Sequence, residues 1–265
     1  MILKHSNSIP AAIIIRSVVF NLIFYFDLLV LLVLALPTLV MPHRAILWMA
    51  KLWGRNSLRL LRWICGLKAE FRGLDKVPLD RPLIIAAKHQ SIWETFVLVS
   101  LFDDPTFIIK RELMWIPFFG WYTWKGRMIA VNRGARSQAL NEMSTRARDE
   151  IRKGRQLIIF PEGTRRAPGA EPRYKFGVAH LYATIGVPCI PVALNSGLFW
   201  PRRSFLRWPG TVLVEFLDPI APGLEKEVFL ERLQNTIETA TARLVAEGRD
   251  GRGHSAPVVS PERAA

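Results

Sequence analysis

The chain has few cysteines and lacks the signatures of several common protein classes. Its 265 residues include only two cysteines, Cys65 and Cys189, both in apolar surroundings and without a Cys-x-x-Cys spacing. This usage predicts small core residues in a reducing compartment, not a disulfide or a cysteine metal site. No Gly-x-Ser-x-Gly motif occurs, which disfavours a serine hydrolase. No small-x-small site follows the N-terminal apolar run, so we predict no cleaved signal peptide.

Acidic residues are also scarce. The chain has 22 Asp and Glu against 36 Lys and Arg, a net charge of +14, and such a balance favours nucleic acid or an anionic membrane surface. Residues 17–36 form an apolar stretch, interrupted by Asp27, that is long enough to cross roughly 30 Å of hydrocarbon. A soluble nucleic-acid binder needs no such segment. The sequence therefore predicts anionic membrane lipid as a partner and no nucleic acid, and both a spanning and a re-entrant N-terminus remain open.

Five basic residues after this stretch recur at spacings of seven, four, four and three. We call them the basic stripe: Arg44, Lys51, Arg55, Arg59 and Arg62. These spacings put them on one side of a helix, with Leu, Ile and Trp over much of the remainder. The pattern is typical of a helix at an anionic lipid surface, and the alternative is an ordinary surface helix packed on a domain. The positive-inside rule then predicts that the following domain lies in the cytoplasm.

From residue 83 onward, short apolar runs alternate with helical patterns. Strands are predicted at 83–87, 106–109, 128–131, 157–160, 189–194 and 212–216, and helices at 91–101, 137–152, 176–185 and 226–246. Such alternation predicts an α/β fold with a largely parallel sheet flanked by helices, preceded by an N-terminal helical membrane anchor. The predicted domains are a hydrophobic and basic membrane segment at 1–69, a catalytic domain at 70–247 and a disordered tail at 248–265.

A first polar island follows the first of these strands. His89 is followed five residues later by Glu94, and histidine is the side chain best able to take a proton near neutral pH. In a continuous helix these two positions point apart, so they meet only if His89 lies in the turn before the helix. Ser91 is predicted to cap that helix, and Ser91 with Glu94 also forms a capping box. A catalytic dyad and a capping role are both compatible with the pattern.

A second island, residues 160–165, follows a buried strand and reads Phe-Pro-Glu-Gly-Thr-Arg. Gly163 permits a tight turn, and Arg165 offers a planar fork suited to phosphate. Because open α/β sheets place their sites at the carboxyl ends of strands, both islands are expected at one edge. The sequence thus predicts proton abstraction beside an anion site, although an isolated turn of this kind is more often a simple loop.

The two islands resemble the motifs of the glycerolipid acyltransferase family, a His-x4-acid motif followed by Phe-Pro-Glu-Gly-Thr-Arg. The resemblance extends over about residues 70–220, with supporting blocks at 110–113, 126–133 and 187–192. One position departs from the family pattern, which usually has Asp in the His motif. Here the acid is Glu94, one methylene longer, so the chemistry is retained while the geometry must differ.

The resemblance implies transfer of a fatty acyl group from a thioester to the free hydroxyl of a 1-acyl-glycerol phosphate, giving phosphatidic acid in phospholipid biosynthesis. It implies His89 and Glu94 as the catalytic pair and a substrate-binding set of Lys110, Arg133, Glu162, Gly163, Thr164 and Arg165. No cofactor or metal is expected, since acyl-CoA or acyl-carrier protein is the donor substrate. The implied location is the bacterial inner membrane, with the catalytic domain on its cytoplasmic face.

Two other functions fit parts of the pattern. The same chemistry could act on another lyso-lipid acceptor such as a lyso-ornithine lipid, and the motifs suited to an anionic phosphate favour the first acceptor. A different class would be a non-catalytic basic membrane adaptor, against which the intact His89 and Glu94 pair argues.

Overall fold

The computed structural model describes residues 9–78, 81–132 and 136–250, and the side chains of 136–139 are not described. The strands found in these ranges are β1 (Leu67–Arg72), β2 (Leu83–Ala87), β3 (Pro105–Lys110), β4 (Ile129–Val131), β5 (Gln156–Ile159), β6 (Cys189–Leu194) and β7 (Gly210–Phe216). They form one sheet in the order β1-β7-β6-β2-β5-β3-β4. Neighbouring strands are parallel except β6 and β7. The predicted α/β fold with a largely parallel sheet is confirmed.

The helices are α1 (Ala11–Leu34), α2 (His43–Leu60), α3 (Trp93–Leu101), α4 (Phe119–Lys125), α5 (Arg136–Arg152), α6 (Gly177–Ile185) and α7 (Lys226–Asp250). They cover both faces of the sheet. Ile85 and Ala87 of β2 belong to a core shared with α3, whereas Ile84 and Ala86 belong to a core shared with α5, α6 and α7. A strand buried on both faces explains why β2 is a continuous apolar run.

Several boundaries differ from those predicted. The predicted domain boundary at 69/70 falls inside β1, which was not predicted as a strand and pairs with β7. Helix α4 was not predicted either. The predicted tail at 248–265 begins inside α7, which continues to Asp250, and the rest of that tail lies outside the described residues.

Helix α1 is the apolar element expected near the N-terminus. With a mean hydropathy of 2.4 it is long and apolar enough to cross a membrane, by length and composition alone. One side of it packs on the domain, where Phe20 and Phe24 are buried and Phe24 contacts Trp200. The backbone N–H of Arg207 donates to Ser17 Oγ at 2.8 Å, and its guanidinium donates to Asn21 Oδ1 at 2.7 Å. Helix α1 is therefore docked on the protein along one side and apolar on the other.

Helix α2 presents most of the basic stripe to solvent. Arg44, Arg55, Arg59 and Arg62 are exposed, while Lys51 Nζ donates to the carbonyl of Asp103 at 2.7 Å. A π-helical turn, Leu61–Cys65, prolongs α2 as far as Gly66. Trp48 and Trp63 are 59% and 84% exposed. The prediction of one basic helix face is confirmed, and two exposed aromatic side chains accompany it.

A buried ion network lies at the amino-terminal edge of the sheet. The guanidinium of Arg155 is fully buried and donates to Asp104 at 2.8 Å and to Glu150 at 2.7 Å. His43 Nε2, at the start of α2, lies 2.9 Å from Asp104. Burial opposes ionisation of Asp104, but the hydrogen bond with His43 and the charge of Arg155 outweigh it and lower the pKa of Asp104. This network connects α2 to the sheet on the side away from both polar islands.

Candidate active site

The two polar islands lie side by side at the carboxyl edge of the sheet. Strands β2 and β5 are parallel neighbours, with Ile84 opposite Leu157, so the segments that follow them leave at the same edge. The backbone N–H of Arg166 donates to the carbonyl of His89 at 2.8 Å, which joins the two segments directly. The expectation that both islands share one strand edge is confirmed.

His89 and Glu94 form a hydrogen-bonded pair. Nδ1 of His89 lies 2.9 Å from Oε1 of Glu94, whose side chain is fully buried. The same oxygen accepts the backbone N–H groups of Gln90 and Ser91 at 2.6 and 2.7 Å, and Oε2 accepts Ser196 Oγ at 2.8 Å. A carboxylate surrounded by donors requires Nδ1 of His89 to carry its proton, which leaves Nε2 as the nitrogen that can accept one.

The local backbone explains how residues five apart can meet. Residues 88–92 are not helical, and α3 begins only at Trp93, so His89 lies in the turn and Glu94 in the first helical turn. The predicted cap was one residue early, because the N-cap is Ile92 and it makes no side-chain cap hydrogen bond. Glu94 nevertheless accepts the Ser91 N–H, as in a capping box. Glu94 therefore contacts both the His89 ring and the Ser91 N–H, so the geometry is compatible with both roles.

Phe160 and Glu162 hold His89 from the second island. The rings of Phe160 and His89 stack with centroids 4.0 Å apart and planes 16° apart. Oε2 of Glu162 accepts the backbone N–H of His89 at 3.1 Å, and Oε1 accepts Lys88 Nζ at 2.9 Å. Burial raises the pKa of Glu162, while Lys88 and the His89 N–H act in the opposite direction. Both oxygens of Glu162 thus accept donors from the protein, and the substrate contact predicted for Glu162 stays a prediction.

The other residues of this island form a cationic turn. Gly163 has a φ of 67°, a left-handed conformation that glycine adopts without strain. Thr164 is exposed and Arg165 half-buried. Arg202 Nη1 donates to the carbonyl of Arg165 at 3.1 Å, and burial together with Arg203 and Arg165 lowers the pKa of Arg202. Among the residues described, neither Arg165 nor Arg202 has an ion-pair partner, so this turn can attract an anion.

The two remaining predicted site residues are placed differently. Lys110 ends β3 at the same sheet edge, is exposed and forms an ion pair with Glu112 at 3.2 Å. Arg133 lies outside the described residues. In the described ranges no group of three or more His, Cys, Asp or Glu side chains is arranged to hold a metal ion.

Sequence reasoning missed several polar groups around His89. Ser196 follows β6, the other neighbour of β2, so a search for polar residues after each parallel strand could have found it. Lys88 stood in the first island without an assigned role. Glu238 and Tyr174 carry no local signal, since their contact with each other and with Lys88 depends on the packing of α7.

The fold and the site together indicate a class of enzyme. A histidine whose ring is held by a buried carboxylate, next to two arginines that have no ion-pair partner in the described ranges, is suited to general-base chemistry on an anionic substrate. The family described as Acyltransferase matches residues 68–195 of the chain.

Relatives extend this match. The 1-acyl-sn-glycerol-3-phosphate acyltransferase of Pseudomonas aeruginosa is 35% identical over 189 residues, which cover 71% of this chain and 72% of the relative. The human 1-acyl-sn-glycerol-3-phosphate acyltransferase alpha is 27% identical, covering 88% of this chain and 84% of the relative. The chain belongs to the acyltransferase family and is an acyltransferase.

A solved structure shows the same fold. The crystal structure of the 1-acyl-sn-glycerophosphate (LPA) acyltransferase PlsC from Thermotoga maritima matches with a TM-score of 0.71 at 24% identity, covering 88% of this chain and 97% of that one. The shared fold includes the mostly parallel sheet and its flanking helices.

Proposed function

We propose that the chain transfers a fatty acyl group from an acyl thioester to the free hydroxyl of 1-acyl-sn-glycerol 3-phosphate, making phosphatidic acid for phospholipid biosynthesis. The observation that carries the proposal is the His89 and Glu94 pair at 2.9 Å beside a cationic turn. The activity named for the relatives from Pseudomonas aeruginosa and human supports the same reaction.

In the proposed mechanism Nε2 of His89 removes the proton of the acceptor hydroxyl as that oxygen attacks the thioester carbonyl. The new C–O bond forms, the C–S bond breaks, and the departing thiolate takes the proton from the imidazolium. Glu94 fixes the tautomer of His89 and stabilises its cation. The acyl group passes directly to the acceptor, so no acyl-enzyme is needed.

For substrate binding, Arg165 is the proposed ligand of the acceptor phosphate, with Gly163 and Thr164 shaping the turn and Lys110 and Arg133 as further contacts. Arg202 is added to this set because it donates to the Arg165 carbonyl and has no carboxylate partner in the described ranges. A paired guanidinium site suits a phosphate better than a zwitterionic ornithine headgroup. The donor is acyl-CoA or acyl-carrier protein, and no cofactor takes part.

The proposed location is the cytoplasmic face of the bacterial inner membrane. The apolar side of α1 would enter the lipid, while the basic stripe of α2 would contact anionic headgroups. Exposed Trp48 and Trp63 near that stripe suit the interface between hydrocarbon and water.

To test the proposal, the purified enzyme in vesicles is assayed with several lyso-lipids as acceptors. Each acceptor is combined with acyl-CoA and, separately, with acylated acyl-carrier protein, and the products are identified by mass. We expect phosphatidic acid from the 1-acyl-glycerol phosphate and no product from the His89→Ala variant, because losing a general base removes about 10²–10⁴ in rate. Preferred acylation of a lyso-ornithine lipid would show that this lipid, and not 1-acyl-glycerol phosphate, is the acceptor. Near-normal activity of a folded His89→Ala enzyme would refute the mechanism.

A further inference from the structure

A buried charge cluster lies next to the backbone of His89. Lys88 is 2% exposed, and its Nζ donates to Glu162 at 2.9 Å and to Glu238 at 2.6 Å. Tyr174 OH donates to the same oxygen of Glu238 at 3.0 Å. We call these four residues the Lys88 cluster. A buried lysine between two carboxylates is costly to desolvate, so its retention calls for a functional explanation.

The cluster is connected directly to the backbone of the general base. Glu162 bonds the Lys88 ammonium with one oxygen and the His89 N–H with the other. Glu238 lies on α7, 150 residues along the chain from Lys88, and its hydrogen bond with Lys88 connects it to the site. The contacts therefore run in series from Glu238 to Lys88, to Glu162 and to the His89 backbone.

We infer that Lys88 and Glu238 are positioning residues: Lys88 orients the carboxylate of Glu162, Glu238 holds Lys88 in place, and together they fix the backbone from which the His89 ring projects. Burial already raises the pKa of Glu162, and the positive charge of Lys88 opposes that shift. Without Lys88, the pKa of Glu162 would rise further, since burial and the charge of Glu238 both raise it, and Oε1 of Glu162 would lose its donor. The His89 backbone would then lose a fixed acceptor.

Glu238 prevents Lys88 from turning away from Glu162. The ammonium has three donor hydrogens, and Glu238 with Tyr174 supplies the second anchor for it on α7. Because the cluster contacts the backbone of His89, and the hydrogen bonds that hold it together do not involve Arg165 or Arg202, its loss should change the aim of Nε2 more than phosphate binding at the cationic turn. The predicted consequence is a lower kcat with unchanged KM for the acceptor.

The experiment compares Glu238→Gln with Glu231→Gln, a matched change at an exposed position on the same helix. Both variants are assayed in vesicles with 1-acyl-glycerol phosphate and acyl-CoA, and their thermal unfolding is followed in parallel. Tyr174→Phe, which removes only a hydroxyl, serves as a second variant should Glu238→Gln fail to fold. The inference rests on the proposed function for its readout, so His89→Ala is measured in the same assay.

We expect Glu238→Gln to lower kcat about 10-fold to 100-fold with acceptor and donor KM within twofold, as small misplacements of a reacting group do. Tyr174→Phe should give a smaller loss of the same kind, and Glu238→Asp should recover part of the rate. Adding Glu238→Gln to Lys88→Met should lower kcat no further, because the two act in series.

Two results would overturn the inference. One is a kcat for Glu238→Gln or Tyr174→Phe equal to that of Glu231→Gln. The other is a loss that matches the fraction of unfolded protein. If His89→Ala remained active, the proposed function would fail instead, so the two failures are distinguishable.

Discussion

Replacement of Glu94 by glutamine tests how much of the rate depends on its negative charge. The amide can keep the geometry, because its carbonyl oxygen can occupy the place of Oε1 and accept from His89, Gln90 and Ser91. Its NH₂ then faces Ser196 Oγ, which can rotate to accept. The tautomer of His89 is preserved, and only the charge that stabilises the imidazolium is lost.

The magnitude follows from the kind of hydrogen bond that changes. A bond to a charged group contributes about 1.5–3 kcal/mol and a neutral one about 0.5–1.5 kcal/mol, so the exchange costs about 1–2 kcal/mol. Applied to the transition state, this lowers kcat by about 5-fold to 30-fold. Glu94→Ala should lose more, since it releases the ring of His89 and leaves two buried N–H groups without an acceptor.

Initial rates at saturating donor and acceptor measure these differences, with Glu231→Gln as an exposed control. Glu94→Asp should retain the charge but lose at least one of the four contacts, because its carboxylate is withdrawn by one methylene. A Glu94→Gln enzyme as active as the parent would refute the role of the charge. One as inactive as Glu94→Ala would refute the argument that geometry is preserved.

Three further changes test other parts of the molecule. Arg155→Leu should lower the free energy of unfolding in urea by about 3–5 kcal/mol, since it removes the buried guanidinium that is shared by Asp104 and Glu150, with KM unchanged in the folded fraction. The pKa of Asp104 is lowered in the folded protein, so the stabilisation it contributes is present above the usual Asp pKa and is lost as pH falls through the folded pKa. Asp104→Asn should therefore weaken the dependence of the free energy of unfolding on pH in that acid range. Arg165→Ala or Arg202→Ala should raise acceptor KM more than donor KM, each removing a charge-assisted contact worth roughly 1.5–3 kcal/mol, and equal effects on both substrates would contradict phosphate binding.

The fold was predictable where local pattern and burial coincide. Strands β2 and β6 are continuous apolar runs, and their ends were predicted at the observed residues. Strand β1 was missed because it is an edge strand in which Leu67, Ala69 and Phe71 alternate with charged residues. A six-residue alternation between a helix and a turn gives too weak a signal to be distinguished from a loop.

The position of the site was predictable from the strand ends, whereas its side-chain contacts were predictable only where they are local. His89 and Glu94 are five residues apart, so their pairing could be judged from the chain between them. The contact of Lys88 with Glu238 joins positions 150 residues apart and depends on how α7 packs against β6. For Glu162 the motif was recognised in the sequence. The contacts of its carboxylate with Lys88 and the His89 N–H were not predicted, because side-chain orientation after a strand depends on tertiary contacts.

The docking of α1 has a consequence for how the protein meets a bilayer. Its contacts with the domain extend from Ser17, which accepts from Arg207, to Leu32, whose carbonyl accepts from Tyr122, a length of about 22 Å. A helix standing upright across the hydrocarbon would take Arg207 and its loop backbone to the same depth, where polar groups are costly. The contacts therefore favour α1 lying along one leaflet, with the domain resting on that leaflet. A lyso-lipid acceptor would then reach His89 by sideways diffusion and a short rise of its headgroup, without leaving the membrane.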